Sequence, residues 1–465
     1  MTPSVQTPPE VAGARPRSRL VLLQADRASN AQNLDQLRAI KRSHPEVRIV
    51  LVRRRVAWWQ WDLRETSSLV ELVVLQDPVE VDETVRAVLD LARERHLDGV
   101  LTVNEECLLA AARVAAELGL AGPSVSAVET CRDKWALSRA LVRAGVASPA
   151  CRTASGVEQA LGAARDLGWP VVLKPRDMAA SIGVVLARDD AELRAMYPVA
   201  AGARWPASTH RQVLVQQLAV GQAIAANAFV ERGVFHWVCH SDKRTSPPPF
   251  FLTVQDTLAD DATAPADLVE TTRRAVAAAG IAHGVVHVEL VRTAGGLRVI
   301  EVTPRMGGGF VAPTVEAHVG VDLLGAAVDL ALGRPAPPLS RAPPRAVVGR
   351  YVLGRGEGRL GRVTVAEPLP TECIASWSKG SGDAIAQPPR DFFPAVGFVV
   401  AVGATVRDAT RALDRCMASI EAPVRSRFDP RVAVSLAERL VSRQFRARLR
   451  SRLSGRRPAT WAPRR

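Results

Sequence analysis

The stretch Gly284–Arg305, which reads GVVHVELVRTAGGLRVIEVTPR, decides the fold because it describes a β-hairpin with charge on one face. Two β-rich runs flank a Thr-Ala-Gly-Gly turn. A hairpin symmetric about the first of these glycines sets Glu289 opposite Glu301 and His287 opposite Thr303. Because strand side chains alternate between faces, these four share one face, and the other face is apolar, with Val286, Val288, Leu290, Ile300 and Val302.

The two glutamates of this hairpin are the candidate metal ligands. Directly opposed carboxylates on a sheet lie about 4.5–5.5 Å apart at Cβ and repel each other. A divalent cation removes that cost, and Mg²⁺ is usually held by one or two carboxylates plus substrate phosphates. Glu289 and Glu301 therefore predict a Mg²⁺ site, with Mn²⁺ as an alternative ion. The competing interpretation is a polar, solvated hairpin face that binds no metal.

The residues after the hairpin, Pro304–Gly309, read PRMGGG and strengthen the prediction of a site. Arg305 supplies a guanidinium that can clamp an anion. The glycines give a backbone that can approach a ligand closely, so Gly307 and Gly308 are candidate substrate-binding residues.

The chain ahead of this region alternates strand-like and helical patterns from residue 18 onward, which predicts an α/β domain with a parallel sheet and helices on both faces. The predicted strands are Leu20–Leu23, Ile49–Val52, Leu72–Leu75 and Gly99–Val103. Ligands of such sheets lie outside the carboxyl ends of the strands, so Glu105 is a candidate substrate-binding residue. The alternative is that Glu105 only favours a helix N-terminus electrostatically.

Prolines, glycines and charge suggest the domain limits. The predicted segments are a disordered leader at 1–17, the α/β domain at 18–123, a nucleotide-binding domain at 124–338, a C-terminal α+β domain at 339–424 and a basic tail at 425–465. Thirteen arginines against two acidic residues give the tail eleven of the fourteen net positive charges, which leaves +3 for residues 1–424. The folded part is therefore not expected to bind nucleic acid.

The tail itself keeps two interpretations. Its apolar residues recur among arginines at near-helical spacing, which is typical of a basic amphipathic helix that binds a membrane surface, an acidic protein or nucleic acid. The alternative is a solvated or packed terminal helix, and the tail's partner stays unknown. The longest apolar run, Ala395–Ala404, is half of the roughly 20 residues that a membrane span needs. The six scattered cysteines favour reduced thiols and a cytoplasmic location.

Together these motifs resemble the ATP-grasp superfamily, especially its carboxylate–amine ligases such as the dipeptide-forming L-amino-acid ligases. Their signature, H-x-E followed by a hairpin and E-x-N-P-R with glycines, stands here as His287-Val-Glu289 and Glu301-Val-Thr303-Pro304-Arg305. Thr303 replaces the asparagine that usually binds metal, and a threonine hydroxyl can still bind Mg²⁺. The resemblance covers residues from about 20 to 424.

The resemblance also implies a nucleotide site. Asp133-Lys134 and Val171–Pro175, with Lys174, look like the two phosphate-binding lysines, and Ser181-Ile-Gly183 matches the loop that closes over the phosphates. Residues 213–219 resemble the strand that holds adenine, although a simple core strand is the alternative. The implied ATP-binding residues are Lys134, Lys174, Ser181, Gly183, Gln216, Gln217 and Ala219.

The implied activity is an ADP-forming ligase that uses ATP and Mg²⁺ to join a carboxylate, such as an amino acid, to an amine. Arg305 and Lys243 would stabilise the transferring phosphoryl group and the acyl phosphate, and His287 is either a base or a packed supporting residue. The implied partners are small-molecule substrates, and a homodimer is one of the open oligomeric states. The alternatives are a carboxylase-like enzyme, or an ATP-binding protein weakened at Thr303 and Ala223 that acts through its tail.

Overall fold

A computed structural model describes residues 18–25, 30–54, 63–204, 208, 210–260, 264–339, 343–366 and 368–425. The predicted leader at 1–17 lies outside the described residues, and so does the basic tail after Arg425.

The N-terminal part forms a parallel four-stranded sheet in the order β3-β2-β1-β4, which confirms the prediction. Leu20 and Leu22 pack on one side with α1, whereas Val21 and Leu23 pack on the other side with α3 and α4. Its elements are β1 (Arg19–Gln24), α1 (Asn30–Ser43), β2 (Arg48–Arg53), α2 (Leu63–Leu69), β3 (Leu72–Leu75), α3 (Val81–Glu94), β4 (Gly99–Thr102), a 3₁₀ turn (Glu105–Cys107) and α4 (Leu108–Glu117).

A smaller antiparallel sheet follows, in the order β5-β8-β6-β7, and helices α7 and α8 pack against it. Ser124 caps the first helix of this part by accepting a hydrogen bond from the Ala127 amide. The elements are α5 (Val125–Arg132), α6 (Lys134–Arg143), β5 (Cys151–Ala154), α7 (Val157–Leu167), β6 (Val171–Pro175), β7 (Val185–Ala187), α8 (Asp190–Gly202) and β8 (Val213–Gln217).

The largest sheet has eight antiparallel strands in the order β13-β12-β9-β10-β11-β14-β19-β17. Apolar side chains of β9, β12 and β13 pack against α6 and α9 on one face, which leaves the polar residues of the hairpin on the other. The first elements are β9 (Gly221–Glu231), β10 (Val234–Thr245), β11 (Thr253–Leu258), α9 (Ala266–Ala278), β12 (Gly284–Thr293), β13 (Gly296–Thr303), α10 (Val311–Val319) and α11 (Leu323–Ala331).

The C-terminal part adds three strands to this sheet, so β14 pairs directly with β11 across the predicted domain boundary at 338/339. Helix α12 packs over these strands in a core of its own. The elements are β14 (Ala346–Leu353), β15 (Gly358–Leu360), β16 (Thr364–Val365), β17 (Cys373–Trp377), β18 (Ala384–Ile385), β19 (Ala395–Gly403), α12 (Val406–Ala418), β20 (Ile420–Glu421) and β21 (Val424–Arg425). The domain boundaries themselves stay predictions.

The expectation that all cysteines are reduced is wrong for one pair. Strand β17 and helix α12 pack together and join Cys373 to Cys416 in a disulfide, 43 residues apart in the chain. Their spacing gives no sign of this pairing, because the packing of β17 against α12 creates it. The other four cysteines are free and buried: Cys107, Cys131, Cys151 and Cys239.

No single helix among the described residues is long and apolar enough to cross a membrane. Only together do helices α10 and α11 have the length and apolar composition of a membrane span, and the two are bent by 103° at the break between them.

Candidate active site

The β12–β13 hairpin carries two opposed glutamates, as predicted. His287 pairs with Thr303, and Glu289 pairs with Glu301. His287 and Thr303 are 7% and 6% exposed, and the apolar residues between them on the opposite face are fully buried. The hairpin thus places two carboxylates side by side above a close-packed core.

The predicted symmetry of the hairpin is wrong beyond these pairs. Thr293 pairs with Gly296 around a two-residue loop, and a bulge shifts the register between Glu289 and Leu290. Val299, at 1% exposure, therefore takes the core position predicted for Ile300. The extra residue in a bulge is left without a pairing partner, and here that residue is Ile300, which is half-buried and lines a small pocket together with Val299.

Each glutamate is neutralised by its own buried lysine. The Nζ atom of Lys243 lies 2.6 Å from Glu289 Oε1, and that of Lys134 lies 3.2 Å from Glu301 Oε1. Burial alone raises the pKa of Glu289, but the charge of Lys243 and the nearby imidazole of His287 hold it well below its usual value. Each carboxylate of the hairpin therefore has its own ammonium partner.

Lys134 is fixed at the start of α6 by its neighbour. The Asp133 carboxylate caps the helix by accepting a hydrogen bond from the Trp135 amide at 3.0 Å, and it pairs with the Arg176 guanidinium, whose Nε lies 2.9 Å away. The Lys134 amide donates to the Arg176 carbonyl at 3.0 Å. Arg176 directly follows strand β6, so this network ties α6 to the strand that bears Lys174.

Lys174 lies at the centre of the candidate nucleotide pocket. It shares that pocket with Lys134 and Gln216, two more predicted ATP-binding residues, and with apolar side chains such as Leu214 and Ile300. Burial, and after it the nearby charge of Lys134, lower the pKa of Lys174 to about 8. Two lysines and several apolar side chains in one pocket are suited to a ligand with an anionic part and a flat apolar part.

Four other predicted ATP-binding residues are not among those that line this pocket: Ser181, Gly183, Gln217 and Ala219. Ser181 and Gly183 lie in a tight loop with φ of 57° and 74°, and the Ser181 hydroxyl donates to the Phe251 carbonyl at 2.7 Å. Gln217 is exposed and donates to the Leu167 carbonyl at 2.8 Å, because neighbouring strand residues face opposite sides. Ala219 lies two residues beyond the end of β8 and is half-buried.

Arg305 and Glu105, predicted separately, form an ion pair although 200 residues separate them. Arg305 Nε donates to Glu105 Oε2 at 2.9 Å, and Nη1 donates to the Met306 carbonyl at 2.7 Å. Their side chains are 15% and 10% exposed. The structure therefore brings the end of β4 against the end of the hairpin, and Glu105 orients the arginine.

The glycines after Arg305 pack closely against the site. A Cβ atom at Gly307 would lie 2.9 Å from the His287 ring, and at Gly308 it would meet nothing within 4 Å among the described atoms. Gly309 has a φ of +65°, and a Cβ there would lie 1.9 Å from the hydroxyl of Tyr351. This loop is thus held between the hairpin histidine and a tyrosine from β14.

His287 is held in place by a neighbouring strand. Its Nδ1 donates to Asn227 Oδ1 at 2.9 Å, so Nε2 is the nitrogen turned toward Glu289, whose Oε1 lies 3.8 Å away. The side chain is thus fixed beside Glu289, and its role as a base or as a supporting residue stays a prediction.

Sequence reasoning missed a buried acid beside these residues. Asp256 on β11 is 2% exposed, and burial raises the pKa of its carboxyl. Tyr351 on β14 interacts electrostatically with the Asp256 carboxyl, and burial raises the pKa of its phenol. The available signal was a single charge within the β-rich run TVQDTL at residues 253–258.

Two protein-family models match the chain. One, described as an ATP-grasp domain, covers residues 167–314, and one, described as an ATP-grasp N-terminal domain, covers residues 47–122. These matches confirm the resemblance on which the predictions rested.

Named relatives and solved structures agree with these matches. Carnosine synthase 1 of Gallus gallus is 30% identical over 308 residues, which are 62% of this chain and 33% of that protein. Alanine–anticapsin ligase of Bacillus subtilis is 34% identical over 108 residues, 23% of each chain. The chain therefore spans a third or less of these relatives.

The L-amino acid ligase from Bacillus licheniformis has the same fold, with a TM-score of 0.72 and 19% identity, over 89% of this chain and 100% of that one. A solved biotin carboxylase domain from Hydrogenobacter thermophilus also matches, with a TM-score of 0.67 and 18% identity, over 88% of this chain and 91% of that one. The fold alone therefore does not select the reaction.

Proposed function

We propose that this chain, an ATP-grasp protein by its matched domains and its fold, is an ADP-forming ligase that joins a small carboxylate to an amine through an acyl phosphate. The observation that carries the proposal is the pair Glu289 and Glu301, each held by a buried lysine, with Arg305 just beyond the second. This arrangement supplies metal ligands and cations where a nucleotide phosphate would lie.

The nucleotide would occupy the pocket under Lys134 and Lys174. The two ammonium groups neutralise phosphate oxygens, and the apolar wall around Leu214 and Ile300 accepts the flat base. The depressed pKa of Lys174 fits this role, because an anionic ligand would restore the charge that burial disfavours.

The donor set fits a hard divalent cation. Two carboxylates and the buried hydroxyl of Thr303 are oxygen ligands, and Mg²⁺ commonly needs only one or two carboxylates in addition to phosphates. Among the described residues, no group of three or more His, Cys, Asp or Glu side chains forms a metal cage of its own. When bound, the ion would neutralise phosphate charge during transfer.

The proposed chemistry has two steps. A carboxylate oxygen of the substrate attacks the γ-phosphorus of ATP, and the bond to ADP breaks. The amine nitrogen then attacks the acyl carbon, inorganic phosphate leaves, and the nitrogen loses a proton. Arg305, oriented by Glu105, stabilises the phosphoryl oxygens during both steps, and Lys243 adds a second cation from β10.

Amino acids are the proposed carboxylate class, because a relative that is 34% identical over part of the chain is named alanine–anticapsin ligase. Gly307 and Gly308 would let the backbone approach this substrate next to His287. The cytoplasmic location and the oligomeric state remain predictions.

The test is ADP release from Mg²⁺-ATP over a panel of amino acids and other small carboxylates, each with and without added amines, with products identified by mass. Release that requires both substrates, with a product lighter by one water than their sum, supports the ligase. Glu301→Gln should abolish product formation, whereas Glu270→Gln, an exposed carboxylate on α9, should not. ADP release that requires bicarbonate would instead support a carboxylase. ATP binding without turnover would support an ATP-binding protein that has lost catalysis.

A further inference from the structure

A carboxylate oxygen is buried and unpaired next to the candidate active site. Asp256 is 2% exposed, and its Oδ2 accepts a hydrogen bond from the Ser241 hydroxyl at 3.1 Å. Its other oxygen, Oδ1, has no hydrogen-bond partner among the residues that the structure describes. A buried carboxylate oxygen without a donor is costly, so its presence calls for a donor that arrives in another state of the protein.

The nearest cation lies directly across the sheet from Asp256. Lys243 on β10 pairs with Asp256 on β11, and opposed side chains on a sheet lie about 4.5–5.5 Å apart at Cβ. The ammonium of Lys243 nevertheless bonds to Glu289, 2.6 Å away on β12. Strand β9 lies between them, and its residues on this path, Ala223 and Ala225, are small enough for the lysine to cross.

One ammonium therefore lies between two carboxylates, of which only one is paired. The Nζ atom of Lys243 lies 2.6 Å from Glu289, while Oδ1 of the directly opposed Asp256 has no hydrogen-bond partner among the described residues. The flexible four-carbon stem of the lysine can turn between the two carboxylates without any change in the backbone.

We propose that Asp256 is a positioning residue that receives the Lys243 ammonium on its Oδ1 when a divalent cation takes Glu289. The inference rests on the metal site of the proposed function and breaks no covalent bond. In the metal-bound state, the lysine remains paired on the polar face of the sheet. Without the Asp256 charge, metal binding would leave a buried ammonium without a carboxylate, so the affinity for the metal would fall.

The test is a double-mutant cycle on metal affinity, which does not depend on turnover. Free Mn²⁺ is measured by electron paramagnetic resonance in the presence of ADP, for the wild type, Asp256→Asn, Lys243→Met and the double variant. Asp256→Asn should weaken Mn²⁺ binding about tenfold when Lys243 is present and less than about threefold when it is Met. Lys243→Met alone should tighten binding, because it removes the cation that competes for Glu289.

Two further variants separate positioning from stability. Asp256→Glu keeps a carboxylate and should bind Mn²⁺ within about threefold of the wild type, whereas Ser241→Ala removes only the neighbouring hydrogen bond and should do the same. If Asp256→Asn does not fold, Lys243→Met still decides, since unchanged or weaker Mn²⁺ binding in that variant overturns the proposal.

The outcomes also distinguish this inference from the proposed function. If Asp256→Asn weakens Mn²⁺ binding equally with Lys243 and with Met at that position, Asp256 acts only through its charge. The proposed movement of Lys243 from Glu289 to Asp256 would then be wrong, while the metal site would stand. A wild type that binds no Mn²⁺ with ADP would overturn both the metal site and the exchange.

Discussion

Lys174→Met should stabilise the free protein while it removes activity. The lysine is buried, forms no ion pair among the described residues, and has a pKa lowered from its usual 10.5 to about 8. At about 1.4 kcal/mol for each tenfold change in proton affinity, this difference corresponds to about 3 kcal/mol of unfavourable free energy in the folded state. Methionine has a similar length and no charge, so the variant should gain up to about that amount at pH 7.

The lowered pKa of Lys174 also predicts how the free energy of unfolding changes with pH. Below about pH 8, Lys174 is protonated in both the folded and the unfolded chain, so the cost is fully present. Between about pH 8 and 10.5, the unfolded chain binds more protons, so the free energy of unfolding of the wild type should rise with pH. Lys174→Met should lack this rise, and the two proteins should become similar near the upper end of the window.

The assay is denaturant unfolding followed by tryptophan fluorescence at pH 7 and pH 9.5, alongside ADP release. Lys134→Met is the matched control, because Lys134 is also buried but pairs with Glu301, and its loss should destabilise. ADP release by Lys174→Met should fall about a hundredfold or more, as expected for the loss of a charge that stabilises the transition state. A destabilised Lys174→Met, or one that keeps the wild-type pH dependence, would refute the reasoning.

Four further substitutions test three separate parts of the site. Glu105→Gln keeps a hydrogen bond to Arg305 but removes the charge, so kcat should fall about tenfold with little change in melting temperature, whereas equal activity would argue against the orienting role. Val299→Ala should cost about 1–3 kcal/mol in denaturant unfolding, and Ile300→Ala should cost less because its side chain is only half-buried; the reverse order would contradict the bulge. Gly309→Ala should cost about 1–3 kcal/mol by calorimetry, since its methyl group meets a tyrosine hydroxyl and its φ is +65°, and an unchanged melting temperature would contradict this packing.

The sequence was sufficient for the parts of the fold that depend on local pattern. The parallel sheet follows from alternating strands and helices, and the pairing of Glu289 with Glu301 follows from side-chain alternation in the hairpin. The bulge was not predictable, because the loop of two residues displaces the symmetry axis and one extra residue must be absorbed farther along the strand. Val299 takes the buried position expected for Ile300 for that reason.

Contacts between distant elements were beyond the sequence. Lys243 reaches Glu289 only because β9 lies between β10 and β12 in the sheet and bears Ala223 and Ala225 at the crossing. The ion pair of Glu105 with Arg305 requires the N-terminal sheet to meet the hairpin, which no spacing in the chain reveals. Residue types therefore indicated which groups carry chemistry, whereas strand order decides which of them meet.

Transfer of oxygen from the carboxylate to phosphate tests the central claim most directly. The carboxylate that supports ADP release is labelled with ¹⁸O at both oxygens, and the inorganic phosphate released in the presence of the amine is analysed by mass. An acyl-phosphate ligase places one ¹⁸O atom in each phosphate, because the bond between the acyl carbon and that oxygen breaks when the amine attacks. Phosphate that carries no ¹⁸O, with ADP still released, would contradict the proposed mechanism.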